Sequence, residues 1–165
     1  MHKINSQKNI SRAFTIVEVV VVPAILLMVV LAVMNAFTAY VKTSKNSLDT
    51  VKASYILDEG VEVMKMFRDQ SWDAKIATVS VETPIRIFWN GTTFATTSSV
   101  SLIDNMFDRS IILSDVKRDD VTRDISSSGT VDVGTKKVTV SVSWNSGSGT
   151  TTRFISAYIT DIFSN

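Results

Sequence analysis

The hydrophobicity of this chain is concentrated in the sequence VVVVPAILLMVVLAVM, from Val19 to Met34. These sixteen residues carry no charged or strongly polar side chain, and no charge follows until Lys42. The charge-free stretch from Val19 to Val41 has 23 residues. As a helix it is roughly 35 Å long, which is enough to cross the hydrocarbon core of a membrane. The sequence therefore predicts a membrane-spanning helix near the N-terminus.

The residues before this stretch are basic. MHKINSQKNISRA contains Lys3, Lys8 and Arg12 and no acidic residue. A basic flank on one side of a membrane span places that end in the cytoplasm. A secretory signal begins in the same way, but its cleavage site follows the apolar run and has small residues at A-x-A-like spacing. Ala36 and Ala39 keep that alternative open.

Glu18 fits neither an ordinary membrane span nor a secretory signal. It lies where the apolar run begins. A carboxylate there costs several kcal/mol of desolvation unless it is paired. It is either solvated by lipid headgroups or paired with a cation.

The composition excludes several classes of protein. The 165 residues include no cysteine and a single histidine, His2. Zinc sites built on thiolate and imidazole, disulfide scaffolds and Cys- or His-dependent catalysis are therefore excluded. A formal charge of +1 argues against nucleic-acid binding through a large basic surface. We expect no enzymatic activity and no cofactor.

From Lys42 to about Arg68 the pattern is that of an amphipathic helix. Apolar residues recur at spacings of three and four. They are Leu48, Val51, Tyr55, Ile56, Val63 and Phe67. Neither glycine nor proline separates this segment from the apolar run, so we expect one helix from about Phe14 to Asp69, kinked at Pro23.

After Trp72 the pattern changes to a period of two, which is typical of strands. Ile85, Ile87 and Trp89 alternate with other residues ahead of Asn90-Gly91, a preferred pair for a tight hairpin turn. A further strand is predicted from Ser110 to Val116. The last strand is expected at about Thr151 to Phe163, after the turn sequence NSGSG.

The predicted core of this region lies in the C-terminal hairpin. Its first strand alternates valines and a tryptophan with hydroxyl-bearing residues, which indicates one buried face. The expected core residues are Val138, Val140, Val142, Trp144, Phe154, Tyr158 and Ile162. We expect Ile56, Val63 and Phe67 of the helix to face them.

RAFTIVEVVVVPAILLMVVLAV, from Arg12 to Val33, resembles the cleavage and methylation signal of type IV prepilins and pseudopilins. The resemblance implies cleavage by a membrane aspartic peptidase between Ala13 and Phe14, followed by methylation of the new N-terminus at Phe14. It also implies that Glu18 pairs with the α-amino group of Phe14, in a neighbouring subunit or in its own chain. The implied partners are other pilin subunits, the prepilin peptidase and methylase, and the pilus or secretion machinery in the inner membrane.

The resemblance implies an α+β, pilin-like fold. Its parts are a basic leader (1–13), a filament-core helix (14–41), an amphipathic helix (42–70) and an antiparallel β head (71–165). The apolar half of the helix is expected to protrude and the amphipathic half to pack on the sheet. The chain departs from the family at three points. Ala13 replaces the usual glycine, Pro23 lies closer to the cleavage point than the usual proline, which falls near Asn35, and no disulfide staples the C-terminal loop.

The implied function is that of a structural subunit, which we interpret as a minor pilin. The precursor spans the bacterial cytoplasmic membrane once, with its N-terminus in the cytoplasm, and then joins an extracellular pilus or a periplasmic fibre. One alternative is a type II secretion pseudopilin. An alternative of another class is a membrane-anchored adhesin or binding domain that does not polymerise and uses Phe88, Trp89 and Phe94 as an exposed contact surface.

The loop before the C-terminal hairpin is rich in charges of both signs. Its carboxylates resemble a set of calcium ligands, but they lack EF-hand spacing and basic residues lie among them. They are Asp115, Asp119, Asp120 and Asp124, with Lys117, Arg118 and Arg123. We interpret them, and the Lys136-Lys137 pair, as solvated turn charges and expect neither a metal nor a nucleic-acid site.

Overall fold

The computed structural model describes residues 15–147 and 149–163. The predicted processing site at Ala13 and Phe14 lies outside these residues. The chain forms two compact units, Met1–Lys45 and Asn46–Asn165. The first described element is helix α1, Ile16–Gln70. The prediction that one helix includes both the apolar and the amphipathic segment is confirmed, and its end at Gln70 lies one residue beyond the predicted Asp69.

In the second unit, one face of α1 is buried. Ile56, Val63 and Phe67 are buried as predicted. The face is completed by other residues that the spacing argument missed, namely Ala53, Leu57, Gly60, Val61 and Met64. Small residues on this face let the helix backbone approach its neighbours closely.

The apolar residues at the start of the amphipathic segment do not belong to this buried face. Leu48, Val51 and Tyr55 are all more than half exposed. They lie on a different side of α1 from Ala53 and Ile56, because a helix turns by about 100° per residue. The buried face of the helix therefore begins only at Ala53.

A helical turn follows where strands were expected. Asp73–Ala77 is π-helical, and Ile76 within it is fully buried beside Trp72 in the core. The Ser71 hydroxyl accepts the Ala74 N–H at 3.2 Å and supports the start of this turn. The change to β-structure after Trp72 was therefore predicted too early, because Trp72 and Ile76 are helical neighbours four residues apart.

The β-structure of the described residues consists of two antiparallel sheets. Strands β1 (Arg86–Trp89) and β2 (Phe94–Thr97) form the predicted hairpin. The larger sheet has five strands, β3 (Leu102–Ile103), β4 (Phe107–Arg118), β5 (Ile125–Ser126), β6 (Thr130–Asn145) and β7 (Thr150–Thr160). Their order is β3-β4-β6-β7, and β5 also pairs with β4. The α+β class is confirmed.

The predicted buried face of β6 is also confirmed. Val138, Val140, Val142 and Trp144 are all buried and join the core with α1. The Trp144 ring packs against Phe107 of β4, with ring centroids 5.8 Å apart. The prediction of a strand from Ser110 to Val116 holds as well, within the longer β4.

The predicted burial of Phe154, Tyr158 and Ile162 was wrong. These side chains are 72%, 53% and 58% exposed. In the β6–β7 ladder Val140 pairs with Ile155 and Val138 with Ala157, while Phe154 pairs with Ser141. Since paired residues share a face of the sheet, Phe154 and Tyr158 lie on the hydroxyl-bearing face. Ile162 follows the end of β7 and lies outside the ladder.

The closest approach of helix and sheet is at Gly60, and we predict that Gly60→Ala destabilises the second unit. A Cβ atom there would lie 2.7 Å from Val140 Cγ1 and 3.3 Å from Arg109 Cδ. Overpacking of this kind costs about 1–3 kcal/mol, more than the gain of about 1 kcal/mol in helix propensity. The measurement is denaturant unfolding of the full chain in detergent micelles.

The matched control for Gly60→Ala is the double variant with Val140→Ala. Val140→Ala removes the clashing methyl group. The double variant should therefore lose about 1 kcal/mol less unfolding free energy than the sum of the losses in the two single variants. Additive costs, or a stabilised Gly60→Ala variant, would show that no close contact exists at this position.

Candidate functional site

The N-terminal turn of α1 is capped by Thr15. The Thr15 carbonyl oxygen accepts the N–H groups of Glu18 and Val19 at 3.0 and 3.2 Å, and its Oγ1 accepts the Glu18 N–H at 3.4 Å. Such a cap satisfies a helix N–H that has no partner within the helix. Sequence reasoning missed this role of Thr15. The signal was the sequence Thr15-Ile16-Val17-Glu18, which has capping-box spacing.

Glu18 therefore occupies the first turn of α1 and is exposed. A negative charge at this end of a helix is favoured by the partial positive charge of the free N–H groups, by about 0.3–1 kcal/mol. This interaction is weak and does not replace a counter-ion. A carboxylate carried into an apolar environment still needs a cation.

The apolar part of α1 is uncovered throughout the first unit. Every residue from Thr15 to Lys45 is exposed, and Ile16, Leu27 and Phe37 are 85%, 65% and 64% exposed. The segment is long and apolar enough to cross a membrane. Because its apolar surface lies on all sides, lipid or packed helices must cover the whole circumference rather than one stripe.

The aromatic residues of the β1–β2 hairpin do not form one surface. The Trp89 and Phe94 rings make an edge contact with centroids 5.2 Å apart. Phe94 is partly buried against the core, whereas Trp89 is 57% exposed. Phe88 precedes Trp89 in a strand, so its side chain points to the opposite face. The structure thus brings together only two of the three residues predicted for an adhesive surface.

A bidentate ion pair attaches this hairpin to the main sheet. Arg86 Nε and Nη2 donate to the two carboxylate oxygens of Asp108 at 2.7 and 2.8 Å. Both side chains are largely shielded from solvent. The hydrogen bonds from Arg86 lower the pKa of Asp108 below its ordinary value. The neighbouring bridge between Ile85 and Ile111 adds main-chain hydrogen bonds at 2.8 Å in both directions.

Sequence reasoning also missed a buried cation, Arg109. Its side chain is 4% exposed, and Nη1 lies 3.3 Å from Glu59 Oε2 and 3.3 Å from the Ile56 carbonyl oxygen. Burial lowers the pKa of Arg109, and its Nε has no hydrogen-bond partner among the described residues. The sequence signal for the burial of Arg109 was its place in the alternating pattern of β4, in which Phe107, Ile111 and Leu113 lie on the buried face.

The charged loop residues are engaged separately. The Asp119 carboxylate accepts the N–H groups of Val121 and Thr122, both at 2.8 Å, and these bonds lower its pKa. Asp115 pairs with Lys136, and the Asp120 carboxylate accepts the Thr130 hydroxyl at 2.6 Å. Within residues 15–147 and 149–163, no group of three or more His, Cys, Asp or Glu side chains is placed to hold a metal ion.

Comparisons of the chain with protein-family models, with curated proteins and with solved structures found no match. Two features of the described residues bear on function. One is the uncovered apolar helix with Glu18 in its first turn. The other is the exposed surface of the second unit.

The Arg86–Asp108 pair predicts a specific pH dependence. A carboxylate whose folded-state pKa is depressed stabilises the fold above its unfolded pKa of about 3.9, and this stability is lost as the pH falls through the folded-state pKa. Asp108→Asn should therefore lower the free energy of unfolding at pH 7 by about 1–3 kcal/mol. The variant should also lose less unfolding free energy than the unsubstituted chain as the pH falls, measured by unfolding experiments from pH 7 to pH 2.

Asp104→Asn is the control for this experiment. Asp104 lies in the exposed turn between β3 and β4 with φ of 52°, a conformation that asparagine also tolerates. An equal loss in both variants, or an unchanged acid profile in Asp108→Asn, would mean that the ion pair does not stabilise the hairpin.

Proposed function

We propose that this chain is a structural subunit, a minor pilin, of a type IV pilus-like fibre. The N-terminal part of α1 first anchors the precursor in the cytoplasmic membrane and then packs with equivalent helices in the fibre. The observation that carries the proposal is the continuous exposure of the apolar helix from Ile16 to Val41, with a carboxylate in its first turn. No covering for this surface comes from the described part of the chain.

The same apolar surface suits both environments. Apolar surface exposed to water costs about 25 cal/mol for each Å². Lipid tails remove that cost in the membrane, and the side chains of neighbouring helices remove it in a fibre. A transfer from one to the other therefore needs no refolding of α1.

Glu18 determines how the helices pack when they move from the membrane into the fibre. Cleavage between Ala13 and Phe14 removes the basic leader and creates an α-amino group four residues before Glu18. In a packed array of helices this amine is the cation that the carboxylate needs. A buried ion pair is not by itself a strong source of stability, but an unpaired buried charge is heavily penalised. Pairing of Glu18 with Phe14 of a neighbouring subunit then selects the correct stagger of the helices.

A type II secretion pseudopilin uses the same anchor and the same pairing, and it differs only in the machinery and in the place of the fibre. The adhesin alternative receives support from the exposed Trp89 ring. It is weakened by the separation of Phe88 from Trp89 and Phe94. A measurement of fibre incorporation distinguishes the alternatives, because a pilin or a pseudopilin enters a fibre and the adhesin does not.

We predict that Glu18→Ala permits membrane insertion but impairs incorporation into fibres. The variant leaves the α-amino group of Phe14 without a partner, and an uncompensated buried charge costs about 3 kcal/mol or more, so incorporation should fall by at least about tenfold. The measurement is the ratio of the chain in sheared fibres to the chain in membranes, in cells that carry the assembly machinery.

Thr15→Ala is the matched control. It removes the side-chain cap of α1, worth about 1 kcal/mol, and keeps the Glu18 charge. Incorporation near the unsubstituted level in Thr15→Ala and a large loss in Glu18→Ala support pairing. Normal incorporation of Glu18→Ala, or equal losses in the two variants, would refute it.

A further inference from the structure

The two long edges of the five-stranded sheet differ. The outer edge of β4 is covered along its length by β3, by the Ile85–Ile111 bridge, by the Glu82 N–H that donates to the Leu113 carbonyl oxygen at 2.8 Å, and by β5. The outer edge of β7 pairs with no strand among the described residues. The larger sheet thus has one covered edge and one open edge.

The main-chain groups on the open edge can be assigned from two hydrogen bonds. The Asp161 N–H donates to the Gly134 carbonyl oxygen at 2.8 Å, and the Ser146 N–H donates to the Gly149 carbonyl oxygen at 3.0 Å. In an antiparallel ladder alternate residues point both main-chain groups to the same neighbour. Odd-numbered residues of β7 therefore bond to β6. The outward-pointing residues are Thr150, Thr152, Phe154, Ser156, Tyr158 and Thr160.

The open edge lacks the usual protection against pairing. Natural edge strands are kept apart by proline, by several charges or by short length. The strand from Thr150 to Thr160 has eleven residues, no proline and a single charge, Arg153. Two exposed aromatic side chains, Phe154 and Tyr158, flank its outward-pointing groups.

We propose that β7 pairs antiparallel with β7 of a second copy of this chain, with the two-fold axis at Ser156. Phe154 and Tyr158 lie two residues before and two residues after Ser156. In this register each Phe154 is opposite Tyr158 of the other copy, and Thr152 is opposite Thr160. Each outward-pointing residue from Thr152 to Thr160 donates one main-chain hydrogen bond and accepts one across the interface.

Self-complementarity favours a second copy over an unrelated strand. A two-fold interface requires that residue i meets residue j and that j meets i, and the Phe154–Tyr158 spacing meets this condition. Aromatic cross-strand pairs stabilise a ladder, and like charges directly opposite destabilise it. An axis at Arg153 places that cation opposite itself, whereas the axis at Ser156 places it opposite Ile159. This pairing does not depend on the packing of the N-terminal helices.

The absence of cysteine from the chain permits a clean cross-linking test of the full-length protein in detergent micelles. Ser156→Cys places two thiols opposite each other at the axis, where Cα atoms of a hydrogen-bonded pair are about 5.5 Å apart, within the range of a disulfide. Thr152→Cys is the matched control on the same strand and face. Its thiols are roughly 27 Å apart in the proposed register.

Mild oxidation should convert Ser156→Cys into a covalent dimer and leave Thr152→Cys and Thr160→Cys monomeric when each is oxidised alone. A mixture of Thr152→Cys and Thr160→Cys should form the mixed dimer, because these positions face each other. Cross-linking of Thr152→Cys alone to the extent of Ser156→Cys, or no cross-linking of Ser156→Cys, would overturn the proposal.

A second substitution tests the main-chain bonds. Ser156→Pro removes an outward N–H and leaves the ladder between β6 and β7 intact, because edge positions tolerate proline. Added to both members of the Thr152→Cys and Thr160→Cys mixture, it should reduce the mixed dimer by about tenfold, as expected when an interface loses about 1.4 kcal/mol. Unchanged cross-linking with Ser156→Pro would exclude strand pairing as the cause.

Discussion

The organisation of this chain depends on the apolar surface of α1 between Ile16 and Val41, which must be covered. The described residues leave it open on all sides. Water is the least favourable environment for it, so the segment requires lipid or other helices. That requirement distinguishes the first unit from the second. The first unit needs other molecules to cover its apolar surface, whereas the second unit buries apolar residues in a core of its own.

The second unit builds this core without a disulfide. Its stability comes from the face of α1 that begins at Ala53, from alternate residues of β4 and β6, and from the Arg86–Asp108 pair that holds the β1–β2 hairpin. Gly60 permits the close approach of helix and sheet, and Arg109 is buried beside it with incomplete hydrogen bonding. A buried cation of this kind favours one arrangement of helix and sheet, because its loss of solvation is compensated only where Glu59 and the Ile56 carbonyl oxygen are within reach.

Sequence patterns predicted the features that depend on local periodicity. The length of α1 follows from the absence of glycine and proline between its apolar and amphipathic segments, and the faces of β6 follow from strict alternation. Alternation could not show which face of strand β7 is buried, because apolar residues occur at both even and odd positions. Phe154 and Tyr158 lie on one face, and Ile155 and Ile159 lie on the other. Its pairing register with β6 decides which face is buried, and that register is a tertiary property. The proposed pairing of Glu18 with the α-amino group of Phe14 was suggested by sequence position alone, and it requires a processed and assembled state that one chain does not contain.

The most direct test of the fibre-subunit account is the mass of the N-terminal peptide of the protein recovered from membranes or fibres of cells that carry the assembly machinery. The account predicts a chain that begins at Phe14 with a methylated α-amino group, because that amine is the cation for Glu18. A chain that retains Met1, or one cut after Met34, would contradict it, since neither supplies an amine four residues before the carboxylate.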